Sequence, residues 1–183
     1  IRHRNDMKRL LDRVLTDLVP LSLAPHSDLG VVDKLTDPTQ ASVNLGLSPL
    51  SDGLPELITT LPQSWRAVTI DAAAVHEAGG TDVLELAVFA GHAASLYRRL
   101  GADTSAQHIG VEITTDQDAH LSIAKLRALR RIYASVAKAF DADDVSLSVH
   151  AITSLRMMQS VDPWTNLLRI MSAGFGAVAG GAD

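Results

Sequence analysis

Cysteine is absent from this chain of 183 residues, and only 4 % of the residues are aromatic. Without cysteine there is no disulfide framework, which agrees with a reducing compartment, and we expect a cytoplasmic protein. Because aromatic side chains are few, the core must be built mainly from leucine, isoleucine, valine and alanine. The longest apolar run, 167–182, contains Arg169 and several glycines, which makes it a poor membrane span.

Positive charge is also in short supply. The chain has 16 Lys and Arg residues against 21 Asp and Glu residues, a formal net charge of −5. A surface that binds nucleic acid or anionic lipid needs a basic excess, so the composition argues against both kinds of partner.

Strand and helix patterns alternate along the chain, which predicts an α/β fold with a parallel sheet and helical crossovers. No linker or change of composition divides residues 1–183, so we expect a single segment. Five strands fit either a doubly wound open sheet or an incomplete eight-stranded barrel. The chain opens in a helical pattern and ends before a further strand, which favours part of a (β/α)8 TIM-type barrel cut from a longer polypeptide. The predicted strands cover 19–25, 42–48, 65–72, 108–114 and 145–152, and the predicted helices 5–18, 27–35 (helix or turn), 54–61, 81–100, 115–140 and 162–181.

Capping residues mark the ends of three predicted helices. We expect Thr81 to cap the first of these, and Gly101 to end it in the left-handed conformation. Thr115 and Asp118 have the spacing of a capping box at the start of the second. Asp162, followed by a proline, is expected to cap the third.

The stretch from Val68 to Gly80 is the first candidate for chemistry. An apolar strand is followed by a predicted loop with three alanines, then by His76 and Glu77. A loop after a strand is the usual place for functional residues in such folds, so the pair could act as an acid and a base. The alternative is a pair that stabilises a turn. A second histidine four residues on, as in zinc proteases, is missing, and we predict no metal site.

A second candidate group lies at the end of the fifth predicted strand. His150 is followed by Thr153 and Ser154, which would face the ligand mouth of a barrel. A histidine buried in the core explains the same pattern equally well.

A basic run marks the central helix, where Arg127 and Arg131 share one face. We expect this run to be solvated or to contact another subunit, with an anion site as the alternative. The run consists of Lys125, Arg127, Arg130 and Arg131.

Four segments together resemble the acyl-CoA-binding barrel of adenosylcobalamin-dependent methylmalonyl-CoA mutases. The most specific features are AKLRALRR, a His-x-x-Thr-Ser segment and Asp-Pro-Trp-x-Asn-Leu-Leu-Arg. The likeness is good over residues 65–183 and weak before them, where it is carried chiefly by 43–54. The four segments are 69–86, 123–137, 149–158 and 162–183.

The departures from the family pattern concern the catalytic residues. Catalytic mutase chains carry a Tyr-His pair that holds the radical and polarises the thioester carbonyl, and this pair falls on Ala73 and Ala74. A following glutamine falls on His76, and the arginine that binds the substrate carboxylate falls near His108. Three pocket residues match the family pattern, namely His150, Thr153 and Ser154.

This pattern is similar to the small subunit of heterodimeric bacterial mutases. The resemblance implies a chain without catalytic residues that stabilises a catalytic large subunit. The large subunit would bind adenosylcobalamin and interconvert methylmalonyl-CoA and succinyl-CoA. What is left here would be a degenerate substrate pocket, formed by His76, His108, His150, Thr153 and Ser154.

Two alternatives stay open. One is an active mutase-family enzyme with a different acyl-CoA specificity, in which His76 and His108 replace the missing polar groups. The other is an unrelated parallel α/β module that binds a ligand.

A separate motif concerns His120. The segment DAHLSI nearly matches Asp-x-His-x-x-Gly, a pattern in which the histidine binds cobalt. Ile123 replaces the required glycine, however, and the segment is expected to begin a helix, so we expect His120 to lie on the surface.

Overall fold

The computed structural model describes residues 9, 11, 14–16, 18–23, 41–102, 107–142 and 145–183. The helix or turn predicted over 27–35 lies outside these residues, and the helix predicted over 5–18 falls largely outside them. The strands are β1 (Leu21–Ser22), β2 (Val43–Leu47), β3 (Arg66–Asp71), β4 (Ile109–Thr115) and β5 (Ser148–Thr153). The helices are α1 (Leu54–Ile58), α2 (Ala73–Glu77), α3 (Asp82–Leu100), α4 (Ala119–Ala139) and α5 (Pro163–Gly180), with a 3-10 turn at Leu155–Met157.

The strands form one sheet in the order β1-β2-β3-β4-β5, which is also their order in the sequence. The pairs β1–β2, β2–β3 and β4–β5 run parallel. A doubly wound sheet reverses its strand order at a switch point, whereas a (β/α)8 barrel adds its strands in sequence. The described strands show no reversal, so the structure confirms the α/β class with helical crossovers and has the strand order of a barrel segment.

The chain divides into two compact units. The first comprises Ile1–Thr69 with Gln107–Ile109, and the second comprises Ile70–Ala106 with Gly110–Asp183. The expectation that residues 1–183 form a single segment therefore stays a prediction. Apolar side chains from β2 and its neighbours build the core of the first unit, in which Ala41, Val43, Leu45 and Trp65 are buried.

Three aromatic residues pack together in the core of the second unit. Phe89 and Tyr97 on α3 pack against Tyr133 on α4, with ring centroids 6.1 and 6.2 Å from that of Tyr133. The Tyr97 hydroxyl donates to the Tyr133 hydroxyl at 3.2 Å. Burial raises the pKa of Tyr97 above its ordinary value, and the bond to Tyr133 opposes that rise. The Tyr97 hydroxyl therefore remains a protonated donor in this apolar setting.

Helices α4 and α5 approach each other closely through glycine. A Cβ on Gly176 would lie 2.9 Å from Ser122 Cβ, and one on Gly180 would lie 2.6 Å from Leu126 Cδ1. The opposite face of α5 is exposed and apolar, as discussed below. None of the described helices is long and apolar enough to cross a membrane.

Helix boundaries follow the predicted caps at two helices and differ at a third. The Thr81 side chain accepts from the Leu84 amide, and Asp162 accepts from the Thr165 amide with Pro163 following, as expected. The predicted cap at Thr115 is wrong, because Thr115 is the buried last residue of β4 and Asp118 caps α4 instead. Gly101 ends α3 with a positive φ of 81°, but its ψ of 167° lies outside the predicted left-handed helical region.

Candidate functional site

The stretch after β3 is a short helix, α2, where the sequence predicted a loop. Its first turn is held by Asp71, whose carboxylate accepts from the Ala74 amide at 2.8 Å. Alanine has the highest helix propensity, so three consecutive alanines beside a capping carboxylate favour this turn. Ala73 is buried and Ala74 is exposed. These methyl groups can neither donate nor accept a hydrogen bond.

His76 lies on the buried side of α2 and is joined to the segment after β5. Its Nε2 lies 2.9 Å from Ser154 Oγ, and both residues are buried. Ser154 Oγ also accepts from the Arg156 amide at 3.1 Å. The structure therefore brings together two of the predicted pocket residues, but as a closed hydrogen-bonded pair.

Glu77 and Arg156 complete the connection between α2 and this segment. The Glu77 carboxylate accepts from the Leu155 amide at 2.9 Å. The Arg156 guanidinium donates to the carbonyl oxygens of His76 at 2.8 Å and of Gly80 at 3.0 Å. Glu77 thus binds backbone, as in the turn-stabilising alternative, and its carboxylate is not paired with the His76 ring as an acid with a base.

A buried carboxylate lies beside His76 in the first turn of α3. Glu85 is fully buried and accepts from the Thr114 amide at 2.8 Å and the Thr114 hydroxyl at 2.9 Å. The Lys125 ammonium donates to Glu85 Oε2 at 2.8 Å and to Asp82 Oδ1 at 2.7 Å. These contacts stabilise the charge of a carboxylate that would otherwise be very costly to bury. We call His76, Asp82, Glu85, Thr114, Lys125 and Ser154 the buried polar cluster.

The prediction that Lys125 belongs to a solvated basic face is wrong. Its side chain is only 3 % exposed, because it extends from α4 to the carboxylates at the start of α3. Arg130 also binds within the chain, donating to the carbonyl oxygens of Leu147 at 2.9 Å and of Gly181.

One atom of the buried polar cluster lacks a partner. His76 Nδ1 is buried and makes no hydrogen bond within the described part of the chain. The nearest acidic oxygen is Glu85 Oε2, at 3.8 Å. This separation is longer than a hydrogen bond between nitrogen and oxygen.

The remaining predicted residues of the second unit do not join this cluster. His150 is exposed, and its Nδ1 lies 3.2 Å from Glu112 Oε2. Successive side chains of a strand point to opposite faces, so His150 and Thr153 belong to different faces of β5. His120 is exposed in the first turn of α4.

His108 belongs to the first unit and is engaged with backbone. Its Nδ1 donates to the Trp65 carbonyl oxygen at 2.8 Å, and the residue is buried. Burial lowers the pKa of His108 below its ordinary value; the carbonyl bond opposes this shift and the charge of Arg66 adds to it. The neutral imidazole is therefore favoured in the folded chain.

With the geometry established, comparison with known proteins identifies the family. The profile of methylmalonyl-CoA mutase matches residues 54–183, which include α2 and the whole buried polar cluster. This chain belongs to the methylmalonyl-CoA mutase family. It is 37 % identical over 164 residues to the methylmalonyl-CoA mutase small subunit of Propionibacterium freudenreichii subsp. shermanii, a match that covers 78 % of this chain and 26 % of the relative.

Two further relatives match nearly the whole chain. A probable methylmalonyl-CoA mutase small subunit from Mycobacterium bovis is 34 % identical over 204 residues, covering 95 % of this chain and 33 % of the relative. The methylmalonyl-CoA mutase small subunit of Streptomyces virginiae is 31 % identical, covering 97 % and 34 %. The chain therefore spans about a third of the length of these two mutase subunits, and the resemblance seen in the sequence is confirmed.

Sequence reasoning missed Glu85 and assigned Lys125 to a solvated basic run, although a signal for their burial was present. Glu85 shares the apolar stripe of α3 with Phe89, and Lys125 shares that of α4 with Leu129. A charged residue on the buried stripe of each of two successive helices predicts a buried ion pair between them. Asp82 carries no comparable signal, because acidic residues are common in the first turn of any helix.

Proposed function

We propose that this chain is the barrel segment of the small, non-catalytic subunit of a methylmalonyl-CoA mutase in the cytoplasm. In this proposal the small subunit binds and stabilises a catalytic large subunit that interconverts methylmalonyl-CoA and succinyl-CoA. The observation that carries it is α2, where Ala73 and Ala74 stand at the positions that the family resemblance assigns to the catalytic Tyr-His pair.

The two histidines that the active-enzyme alternative would use are both engaged in hydrogen bonds within their own units. A phenol and an imidazole can hold a radical or donate to a thioester carbonyl, whereas methyl groups cannot. The nearest imidazole in sequence, His76, is buried and bound to Ser154. His108 donates its Nδ1 hydrogen to Trp65. These contacts weaken the alternative of an active enzyme that uses His76 and His108.

The proposal assigns adenosylcobalamin to the large subunit. The residue closest to a cobalt-ligand pattern is His120, which is exposed in the first turn of α4 rather than in a loop after a strand. Ile123 occupies the place of the required glycine. Among the described residues, this segment does not fit a cobalt ligand.

An exposed apolar stripe on α5 supports a role in protein association. Large apolar side chains recur along it at alternating intervals of four and three residues, the spacing that brings them onto one helix face. Each is at least 66 % exposed. A contiguous apolar surface of this kind is typical of a surface that another protein segment covers. The stripe consists of Trp164, Leu168, Met171, Phe175 and Val178.

The proposed stabilising role is tested by thermal unfolding of the large subunit with and without the complete small subunit. We expect the melting temperature of the large subunit to rise with the concentration of the small subunit, because a partner that binds only the folded state stabilises it. Serum albumin at equal mass serves as the control. An unchanged melting temperature at saturating small subunit would contradict the proposal.

The degenerate pocket is a separate part of the proposal. We infer that His150 and Thr153 retain family positions without forming a substrate site, since His150 faces Glu112 and Ser154 is occupied by His76. Equilibrium dialysis with coenzyme A would reveal any residual binding. Saturable binding that His150→Ala abolishes would overturn this inference.

A further inference from the structure

We propose that His76, Asp82 and Glu85 form a binding site for one zinc-class divalent cation, in which the Lys125 ammonium is the competing occupant. The three side chains each offer one ligand atom, and these atoms all lie within 4.8 Å of one another. The proposal stands on the buried polar cluster alone and does not depend on the proposed mutase role.

One ring nitrogen of His76 has no hydrogen-bond partner among the described residues. His76 Nδ1 is buried without a hydrogen-bond partner and faces Glu85 Oε2 across 3.8 Å. If His76 Nε2 donates to Ser154 Oγ, Nδ1 presents a lone pair to an anionic oxygen. The lone pair on Nδ1 and the carboxylate oxygen repel each other, and a cation bound between them would remove this repulsion.

The separation of His76 Nδ1 from Glu85 Oε2 also suits a bridging metal ion. A hydrogen bond between nitrogen and oxygen is about 2.7–3.2 Å long, so 3.8 Å leaves the pair too far apart to bond directly. Zinc binds imidazole nitrogen and carboxylate oxygen at about 2.0–2.2 Å. His76 Nδ1 and Glu85 Oε2 are 3.8 Å apart, so a zinc ion could bind both atoms at these distances with little movement of either side chain.

Hydrogen bonds from neighbouring residues hold the proposed ligands His76 and Glu85 in place. A histidine that binds metal typically has its other ring nitrogen held by a hydrogen bond, and its carboxylate co-ligands are hydrogen-bonded as well. His76 Nε2 is held by Ser154, and Glu85 is held by the Thr114 amide and hydroxyl. Both ligands are therefore oriented before any ion arrives.

The charge balance identifies Lys125 as the competitor. Two carboxylates and one ammonium leave a formal charge of −1 among the acidic and lysine side chains of the cluster. The Lys125 ammonium contacts Asp82 and Glu85 at 2.7 and 2.8 Å, where it satisfies the same oxygens that a metal would use. The Asp82 side chain is 26 % exposed and is the cluster's most accessible ligand. Removing the ammonium should therefore strengthen metal binding.

The test is titration of the chain with zinc chloride in competition with a chromophoric chelator, followed by thermal melting. The wild-type chain should bind one zinc ion, and His76→Gln should weaken binding by about tenfold or more. Glutamine keeps a donor near Nε2 for Ser154 but lacks the Nδ1 ligand, so it isolates the proposed contact. His120→Gln, which alters an exposed histidine on α4, is the matched control and should bind as the wild type does.

Lys125→Met provides the second arm. The variant should bind zinc about tenfold or more tightly, because a positive charge beside the ion has been removed. Zinc should also raise its melting temperature more than that of the wild type, since the buried Glu85 carboxylate and the partly exposed Asp82 carboxylate have lost their counterion. The double variant with His76→Gln should lose this rescue.

A spectroscopic measurement covers the case in which a variant fails to fold. In the wild-type chain labelled with ¹⁵N-histidine, zinc should shift the Nδ1 resonance of His76 and leave that of His120 in place. Equal zinc affinity of wild type and His76→Gln, no gain in Lys125→Met, or an unmoved His76 Nδ1 resonance at saturating zinc would each overturn the proposal.

Discussion

At the scale of single residues, the pH response of His108 follows from its burial. The pKa of its imidazole is lowered in the folded chain, chiefly by desolvation. Unfolded histidine titrates near pH ~6.5, so below that pH the unfolded chain binds a proton that the folded chain does not. The free energy of unfolding should therefore fall as the pH decreases from about 6.5 toward the lower folded pKa.

His108→Asn tests this linkage. The asparagine amide can replace Nδ1 as the donor to the Trp65 carbonyl oxygen, but it does not titrate. We expect urea unfolding to show a smaller loss of stability between pH 7 and pH 5 in the variant than in the wild type. An equal loss in both chains would mean that His108 does not contribute to the acid sensitivity.

Residue-level features could be predicted where a local rule decides them. Thr81 and Asp162 were identified as caps because a side chain that precedes a helix satisfies its free amides without help from elsewhere. The buried pairing of Lys125 with Glu85 could not be predicted in this way, because it depends on two helices meeting. The hydrogen bond between His76 and Ser154 joins residues 78 positions apart, and local spacing patterns do not predict contacts over such a separation.

At the scale of secondary-structure elements, the packing of α5 on α4 depends on glycine. The added Cβ at Gly176 would lie 2.9 Å from Ser122 Cβ and 3.2 Å from the Ala119 backbone, whereas one at Gly174 would meet nothing within 4 Å. Both glycines lie inside α5, so their helix propensities are comparable. Alanine substitutions at these two glycines therefore distinguish the effect of close helix packing from the effect of helix propensity.

Gly176→Ala should destabilise the chain by about 1–3 kcal/mol, because the two helices must move apart. Gly174→Ala should instead stabilise it by about 0.5–1 kcal/mol, since alanine loses less backbone entropy in a helix. Urea denaturation of both variants measures the two signs. Equal effects of the two substitutions would show that α4 and α5 are not in close contact at Gly176.

Most elements could be predicted from periodicity, and the exceptions have physical reasons. α3 was placed within a residue because a cap, an apolar stripe and a terminal glycine agree. The sequence predicts a loop in place of α2 because five residues are too few to show a helical period, although three alanines after Asp71 favour a turn of helix. The start of α4 was misplaced because Thr115 satisfies the capping pattern but is held in β4.

At the scale of the whole molecule, the alternation of strands and helices is enough to predict a parallel sheet. The sequential strand order then distinguishes a barrel segment from a doubly wound sheet. The exposure of the apolar stripe on α5 could not be predicted from the sequence, because the same apolar pattern occurs in helix faces that are buried and in those that are exposed.

The exposed stripe predicts that the chain on its own self-associates. Met171 and Phe175 are 70 % and 66 % exposed, and apolar surface of this extent favours association in water. Analytical ultracentrifugation should show concentration-dependent association of the wild type and a shift toward monomer in the variant with Met171→Glu and Phe175→Glu. Val83→Glu, which changes an exposed apolar residue on α3, is the control and should associate as the wild type does.

A monomeric wild type at high concentration would contradict this prediction. So would equal association of the wild type and the double variant, since the stripe would then not be the contact.

We propose that the alanines of α2 leave this mutase-family chain without catalytic activity, which a direct assay can test. The measurement is conversion of methylmalonyl-CoA to succinyl-CoA in the presence of adenosylcobalamin, with the complete small subunit alone, the large subunit alone and the two together. We expect no product from the small subunit alone and turnover whenever the large subunit is present, highest with both. Sustained turnover by the purified small subunit alone would contradict it.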